Sequence, residues 1–171
     1  TVQEIASYWG KTEEDCLMDL LLEEQGDPHI VIEHMDEEDI LNIMREGTHL
    51  VSSDGLYKPG YGGFHPRLCG SFPRFLRYYV KEKKVIPLEK AISHMSYLPA
   101  KRLGLKDRGL IQEGAWADLV LFDWERIKDK ATYLQPNEYA EGVEYLFVNG
   151  RMVIKEGDFT EERPGICIRR T

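Results

Sequence analysis

The first half of the chain alternates helix-like and strand-like hydrophobic patterns. Residues 12–25 and 36–47 carry apolar side chains three and four positions apart, which is the spacing of one helix face. The short apolar runs 29–34 and 49–53 are typical of buried strands. The predicted helix N-caps are Thr12 and Asp36. The order helix, strand, helix, strand predicts an α/β fold with a parallel sheet.

A long loop and three further helices follow the second strand-like run. The loop covers residues 54–72 and is rich in glycine, proline, aromatic and arginine residues. Pro73 suits the first position of a helix over 73–84, because that position needs no backbone N–H. Two more helices are predicted at 87–95 and 99–103.

After about residue 105 the pattern changes from helices to strands. Residues 109–123 predict a turn that leads into a strand, and residues 143–158 predict a hairpin. The pair Asn149–Gly150 lies between the two apolar strands of that hairpin and is a strong signal for a tight turn. A domain boundary is therefore expected near 104–110. The predicted domains are residues 1–104 and 105–171.

Composition narrows the class of protein. The chain has 171 residues, 42% of them apolar and 30% charged, with a net charge of −8. This acidity argues against a nucleic-acid partner, and no apolar run approaches the roughly 18 residues needed to cross a membrane. Three widely spaced cysteines predict no disulfide framework, so we expect a cytoplasmic protein. The chain begins at Thr1 without Met, which leaves a fragment or a trimmed terminus open.

Asp54 is the first candidate for chemistry. It comes directly after the predicted strand 49–53, and the carboxyl ends of strands carry the active sites of α/β sheets and barrels. A carboxylate there can act as general base, bind a metal, or only form an Asp-Gly turn. The loop 54–72 favours a functional role, because structureless loops longer than about 12–15 residues are uncommon in compact domains.

The loop also carries polar side chains that suit a substrate. Arg67 and Arg74 offer forked cationic donors for a carboxylate, although surface ion pairing is the alternative for each. His65 adds a titratable group, or else holds the shape of the loop through a hydrogen bond. Cys69 is interpreted as a small hydrophobic side chain.

Longer motifs resemble one known family. The segments "SSDG" and "HPRLCGSFPRFLRYYV" resemble the N-acyl-D-amino-acid deacylase (D-aminoacylase) family of the amidohydrolase superfamily. In members of the superfamily the chain passes from the barrel back into a small β domain. Two segments are similar to that part: "LPAKRLGLKDRGLIQEGAWADLVLFD" and "YAEGVEYLFVNGRMV". The resemblance extends over essentially the whole chain, and its first two segments are the most specific.

The resemblance implies a fold and a metal site. The fold would be the C-terminal portion of a (β/α)₈ TIM-type barrel, with 29–33 and 49–53 as its last two strands, followed by strands of a small β-sandwich domain. Family members are far longer, and their zinc ligands, including an HxH pair, would lie upstream of this chain. The five histidines here form no HxH pair, and His34 matches no ligand motif. We therefore expect zinc (Zn²⁺) in the full-length parent and none bound by this chain.

The resemblance also implies a reaction. The parent would hydrolyse an N-acyl-D-amino acid to a carboxylate and the free D-amino acid, with a zinc-bound water as nucleophile. Asp54 would be the general base and then the general acid, and a possible metal ligand. Arg67 would bind the substrate α-carboxylate. Tyr57, Tyr61, Phe64 and His65 are the further candidates for contact with the substrate.

Two alternatives remain open at the level of the sequence. One is another amidohydrolase activity, such as a dihydropyrimidinase-like cyclic amidase. The other is a non-catalytic module, if the chain is complete. A partial barrel has an unpaired edge, so we expect this chain alone to be inactive and to need the rest of its parent, or copies of itself, to cover that edge.

Overall fold

The protein is described by a computed structural model that covers residues 1–28, 30–59 and 62–168. Its chain forms two compact units, Thr1–Met35 and Asp36–Thr171. The second unit contains the β-sheet and every described residue of the candidate site. None of the helices in the described part of the chain has the length and apolar character needed to cross a membrane. The domain boundary expected near 104–110, between residues 1–104 and 105–171, stays a prediction.

The first unit is a pair of helices, α1 (Val2–Trp9) and α2 (Glu13–Glu23). The side chain of Thr12 accepts a hydrogen bond from a backbone N–H in the first turn of α2, so the predicted cap is confirmed. Ala6 and Cys16 are buried where the two helices pack against each other. Small side chains at this contact let the helix axes approach closely.

The next helix, α3 (Glu37–Glu46), begins and ends where its sequence predicts. The carboxylate of Asp36 accepts the backbone N–H of the second residue of the helix at 2.7 Å. Gly47 ends it in the left-handed conformation with φ of 70°, which glycine adopts without a steric penalty. Leu41 and Met44 are its buried residues, and Met44, with the partly buried Ile40 beside it, packs in the core of the second unit.

The two strands predicted before the long loop are wrong for this structure. Residues 30–34 and 49–53 belong to no β-ladder in the described part of the chain. A strand is stable only when a neighbour accepts and donates its backbone hydrogen bonds. Within 49–53 the backbone N–H of Val51 instead donates a hydrogen bond to the carbonyl oxygen of His94 at 3.1 Å.

The helix predicted to start at Pro73 starts earlier, so the predicted loop 54–72 is too long. The helix α4 spans Arg67–Arg74 and has Pro66 at its N-cap, with Pro73 inside it. A proline lacks the N–H donor and crowds the carbonyl four residues before it. Directly after α4 the helix continues as a π-helical segment, Phe75–Glu82.

Two short helices complete the helical part, α5 (Leu88–Met95) and α6 (Tyr97–Leu103). Both were predicted, although α6 begins two residues before Pro99. Pro99 therefore lies in the first turn, where backbone N–H groups have no acceptor within the helix, so the N–H that proline lacks is not needed. Gly104 ends α6 with φ of 79°.

The strands form two antiparallel sheets. A small ladder joins β1 (Tyr57–Lys58) to β2 (Gly62–Gly63) within the long loop. The larger sheet has the order β3-β4-β5-β6. Its strands are β3 (Leu119–Phe122), β4 (Val143–Val148), β5 (Arg151–Lys155) and β6 (Asp158–Phe159). The predicted strand within 109–123 and the predicted hairpin are both confirmed, and Asn149 and Gly150 have the positive φ angles that a tight hairpin turn requires.

One hydrophobic core joins the helices and the sheet of the second unit. The π-helical segment contributes Phe75, Leu76 and Val80, and the core continues to Ile127, which precedes β4. Phe122 and Val143 of the sheet pack against it. This core holds the π-helical segment in place. Because that segment continues α4, the core also supports α4 and the candidate site at its start.

Two histidines face each other inside this unit. The rings of His49 and His94 stack with centroids 4.4 Å apart, and the His94 Nδ1–H donates to the His49 carbonyl oxygen at 2.7 Å. Both ring nitrogens of His49 are buried and lack a hydrogen-bond partner among the described residues. Burial first, and then the nearby His94, lower the pKa of His49 below its usual value of about 6.5.

We expect His49 to make the fold acid-sensitive. The unfolded chain binds a proton near pH 6.5, whereas the folded chain resists it, so stability is lost as the pH falls below about 6.5. His49→Phe keeps an aromatic ring and removes the titration. Urea titrations at about pH 7 and about pH 5.5 should show a smaller loss of unfolding free energy in this variant. The exposed His34→Phe is the control, and an unchanged pH dependence in His49→Phe would contradict the expectation.

Candidate active site

Asp54 lies where the chain turns sharply into the long loop. Its φ of 46° is left-handed, a conformation that aspartate tolerates better than most residues. The Ser53 side-chain oxygen accepts the backbone N–H of Gly55 at 3.2 Å, which stabilises the turn. The Asp54 side chain is 80% exposed, so its carboxylate is open to water and to a small molecule.

Arg67 brings a guanidinium to that carboxylate. It is the first residue of α4, and its Nη2 lies 3.0 Å from Asp54 Oδ2. Its Nε is buried and has no hydrogen-bond partner in the described part of the chain. The two residues singled out from the sequence therefore form one ion pair, and the guanidinium retains a donor that a further acceptor could satisfy.

His65 supports the start of α4. Its Nδ1 accepts the backbone N–H of Arg67 at 3.1 Å, so the ring proton resides on Nε2 in this arrangement. Burial is the main cause that lowers the pKa of His65, the charge of Arg67 adds to it, and Asp54 opposes it. This contact agrees with the loop-shaping alternative for His65, and a substrate contact through Nε2 remains a prediction.

Two glycines let the loop wrap closely around α4. A side chain at Gly55 would meet the Cα atom of Leu68 at 2.9 Å, and one at Gly63 would meet Leu68 Cδ2 at 2.5 Å. Both distances are too short for a real Cβ atom. At Gly55 the clash is with backbone, so the loop needs glycine there to bring Asp54 next to the first turn of α4, whereas at Gly63 the Leu68 side chain would have to move.

The aromatic side chains predicted to contact a substrate lie on the long loop and differ in their exposure to solvent. Tyr57 is in β1 and is largely exposed, whereas Phe64 is half-buried. Tyr61 lies outside the described residues. The roles proposed for these side chains in contact with a substrate stay predictions.

Arg74 and Cys69 have the environments of structural residues. The Arg74 guanidinium lies 3.6 Å from Asp129 and stacks on the ring of Tyr78. Cys69 is half-buried and unpaired, and burial raises the pKa of its thiol. Neither observation favours chemistry at these two positions.

Three residues near the site were missed from the sequence: Asp129, Tyr133 and Asn137. Asn137 Oδ1 accepts the backbone N–H of Gly63 at 2.6 Å, and the ring of Tyr133 meets that of His65 edge-on at 5.0 Å. Each lies more than 50 residues from its partner along the chain. No local pattern could have linked them, because only the fold brings them together.

The described residues do not form a metal centre by themselves. No group of three His, Cys, Asp or Glu side chains within them is arranged to hold a metal ion. A catalytic zinc ion needs about three protein ligands, and Asp54 offers one carboxylate. The residues present therefore do not fit a complete zinc site.

Comparison with known proteins assigns the family. A model described as "Amidohydrolase family" matches residues 5–154. The chain belongs to the amidohydrolase family. A D-aminoacylase of Alcaligenes xylosoxydans xylosoxydans is 38% identical over 170 residues, and the alignment covers 99% of this chain and 34% of that protein. The N-acyl-D-glutamate deacylase of the same organism is 42% identical over 136 residues, covering 80% and 27%.

Solved structures of amidohydrolases have the same fold. A crystal structure of D-aminoacylase matches with a TM-score of 0.79 and 36% identity, over 94% of this chain and 32% of that one. The N-acyl-D-glutamate deacylase of Bordetella bronchiseptica, complexed with zinc and a phosphonate inhibitor, matches with a TM-score of 0.77 and 35% identity, over 91% and 32%. The resemblance to D-aminoacylases is thus confirmed. The chain spans about a third of the length of these relatives.

A weaker similarity reaches dihydroorotases. A dihydroorotase of Lactobacillus acidophilus is 32% identical over an alignment of 100 residues that covers 51% of this chain and 23% of that protein. This similarity covers a smaller part of the chain at lower identity than the similarity to the D-amino-acid deacylases.

Proposed function

We propose that the full-length protein containing this chain, called the parent enzyme below, hydrolyses N-acyl-D-amino acids to a carboxylate and a free D-amino acid. The observation that carries the proposal is the pair Asp54 and Arg67, a solvent-open carboxylate beside a guanidinium with an unpartnered buried Nε. The names of the relatives supply the class of substrate.

Asp54 is the proposed proton shuttle. Its exposed carboxylate accepts the proton of the water that attacks the amide carbonyl, and it then donates that proton to the nitrogen of the leaving amine. The two transfers return Asp54 to its starting state, so it acts as base and acid in one turnover. The ion pair with Arg67 orients the carboxylate for both steps.

Arg67 is the proposed binding group for the substrate α-carboxylate. A guanidinium presents donors in a rigid fork that matches a carboxylate with two parallel hydrogen bonds. The Asp54 contact uses Nη2, and the Arg67 side chain is 37% exposed, so a carboxylate can approach the guanidinium from solvent. Tyr57, Tyr61, Phe64 and His65 are the proposed walls around the acyl group or the amino-acid side chain.

Zinc is the proposed cofactor of the parent enzyme. One structural relative is complexed with zinc, and another is named for its binuclear metal center. Because the described residues offer one carboxylate at the site, we propose that most metal ligands lie outside this chain, with Asp54 as a candidate ligand. We also propose that this chain alone binds no zinc and is inactive.

The proposed placement in the parent is the end of a barrel followed by a small β-sandwich. Residues 29–33 and 49–53 would become strands when neighbouring strands pair with them. Several exposed apolar side chains support burial against the rest of the parent, or against copies of this chain: Ile30, Val31, Ile32, Leu50, Val120 and Leu121. We propose a cytoplasmic location, which the unpaired cysteines support.

A substrate panel tests the proposed function. The purified, zinc-supplied parent enzyme would be assayed with N-acetyl-D-amino acids and, in parallel, with hydantoins and dihydropyrimidines. We expect hydrolysis of the linear amides and little turnover of the cyclic ones. The opposite preference would favour the cyclic-amidase alternative that the dihydroorotase similarity supports. Turnover of neither class would favour a non-catalytic module.

A further inference from the structure

A loop from the C-terminal half of the chain closes over the candidate site. The backbones of Lys128 and Glu141 form a reciprocal pair of hydrogen bonds at 3.1 and 3.0 Å, and their side chains form an ion pair at 3.0 Å. The two ends of the segment between them, the 129–140 loop, are therefore held side by side. Within the loop, Thr132 and Gln135 are joined by two hydrogen bonds. The loop is thus an ordered element with a closed base.

The first residue of the 129–140 loop is fixed to the helix that carries Arg67. Asp129 is nearly buried and accepts a hydrogen bond from Arg77 Nε at 2.9 Å, with Arg74 3.6 Å away. A Cβ atom at Gly70 of α4 would lie in ordinary van der Waals contact with the Cβ atom of Asp129, at 3.4 Å, so the start of the loop lies directly against α4. The start of the loop thus has a fixed position beside α4.

Further along, the 129–140 loop reaches the glycine-rich loop itself. Asn137 Oδ1 accepts the N–H of the buried Gly63 at 2.6 Å, and Tyr133 packs edge-on against His65. Gly63 pairs with Tyr57 in the β1-β2 ladder. Both contacts therefore fall on the segment between Asp54 and Arg67.

We propose that Asn137 is a positioning residue for the Asp54–Arg67 pair. Its side-chain oxygen holds Gly63, the β1-β2 ladder transmits that position toward Asp54, and the chain after Gly63 leads to His65 and Arg67. Without Asn137 the Gly63 N–H loses its side-chain acceptor in this partly buried contact, and the glycine-rich loop is no longer held to the 129–140 loop at that point. This inference rests on the proposed function, because it concerns the same site.

Three variants of the parent enzyme test the role of Asn137. Asn137→Ala removes the acceptor, Asn137→Asp keeps an oxygen at the same position, and Asn42→Ala is a matched control at an exposed asparagine of α3 that accepts from Arg45. Each is assayed for kcat and kcat/KM with an N-acetyl-D-amino acid. Each is also followed by hydrogen exchange of the peptide that covers residues 57–66.

We expect Asn137→Ala to lower kcat/KM about tenfold, in keeping with the loss of one hydrogen bond of about 1.4 kcal/mol, and to speed exchange in that peptide. Asn137→Asp should stay within about threefold of the wild type, and Asn42→Ala should match it. Wild-type kcat/KM in Asn137→Ala, or a loss in Asn137→Asp as large as in Asn137→Ala, would overturn the proposal.

The exchange measurement separates this inference from the proposed function. A parent enzyme without deacylase activity would refute the proposed function. The exchange data would then test the contact between Asn137 and Gly63 by itself. Faster exchange only in Asn137→Ala would support the positioning role of Asn137, and equal exchange in all variants would overturn it.

Discussion

Asp54→Asn is expected to lower kcat of the parent enzyme by about a thousandfold, because the amide retains the shape of the carboxylate and cannot accept the proton of the attacking water. KM should change little, since the proposed substrate carboxylate binds to Arg67. Steady-state release of the free amino acid measures the effect, and elemental analysis of the purified variant should find its zinc content largely intact.

The matched control for this change is Asp158→Asn, at an exposed aspartate of β6 that is not among the candidate site residues. It should leave kcat unchanged. A kcat near that of the wild type in Asp54→Asn would contradict the assignment of Asp54 as proton shuttle. A large loss of zinc in the same variant would point to a role as metal ligand instead.

Arg67→Lys is expected to raise KM for N-acetyl-D-amino acids by about thirtyfold, with a smaller effect on kcat. Lysine retains the charge and loses the planar fork, so it replaces two parallel hydrogen bonds to the carboxylate by one. A charge-assisted hydrogen bond contributes roughly 1.5–3 kcal/mol, which corresponds to a factor of about ten to a hundred in binding. Initial rates over a range of substrate concentrations measure the change.

A second class of substrate makes this prediction specific. N-acyl amines that lack the α-carboxylate should show only the smaller kcat effect of Arg67→Lys, which acts through the ion pair with Asp54, and no rise in KM. Arg151→Lys is the control, because Arg151 forms an exposed ion pair with Glu162 at 3.1 Å. An equal loss on both classes of substrate would mean that Arg67 does not recognise the carboxylate.

The parts of the fold that depend on neighbours along the chain were predictable. The cap at Asp36, the glycine ends of α3 and α6, and the turn at Asn149–Gly150 are set by residues within a few positions. Their geometry follows from local hydrogen bonds and from allowed φ angles, so no knowledge of distant partners is needed.

The parts that depend on distant partners were not predictable. The runs 29–34 and 49–53 have strand-like composition, yet a strand requires a partner that composition does not specify. The start of α4 was misjudged for a different reason. Pro66 and Pro73 both follow loop-like sequence, so either could stand at the start of the helix. Pro66 is the N-cap, because tertiary packing and not local propensity decides where this helix begins.

The candidate site likewise contains residues that local sequence indicates and contacts that depend on distant parts of the chain. Asp54 and Arg67 were found because both lie in one unusual loop after a strand-like run. Asn137 lies 74 residues beyond the Gly63 N–H that it accepts, in a segment without a recognisable motif. The sequence therefore indicated two residues that form a contact, whereas the distant contacts around them could not be predicted; the chemistry of the site stays a prediction.

The central claim is that Asp54 and Arg67 serve a D-amino-acid deacylase. The most direct test is to incubate the zinc-supplied parent enzyme with the D and L enantiomers of one N-acetyl amino acid and to measure the free amino acid released from each. We predict rapid release from the D enantiomer, at least about a hundredfold faster than from the L enantiomer, and loss of that release in Asp54→Asn. Equal release from both enantiomers, or release only from the L form, would contradict the claim.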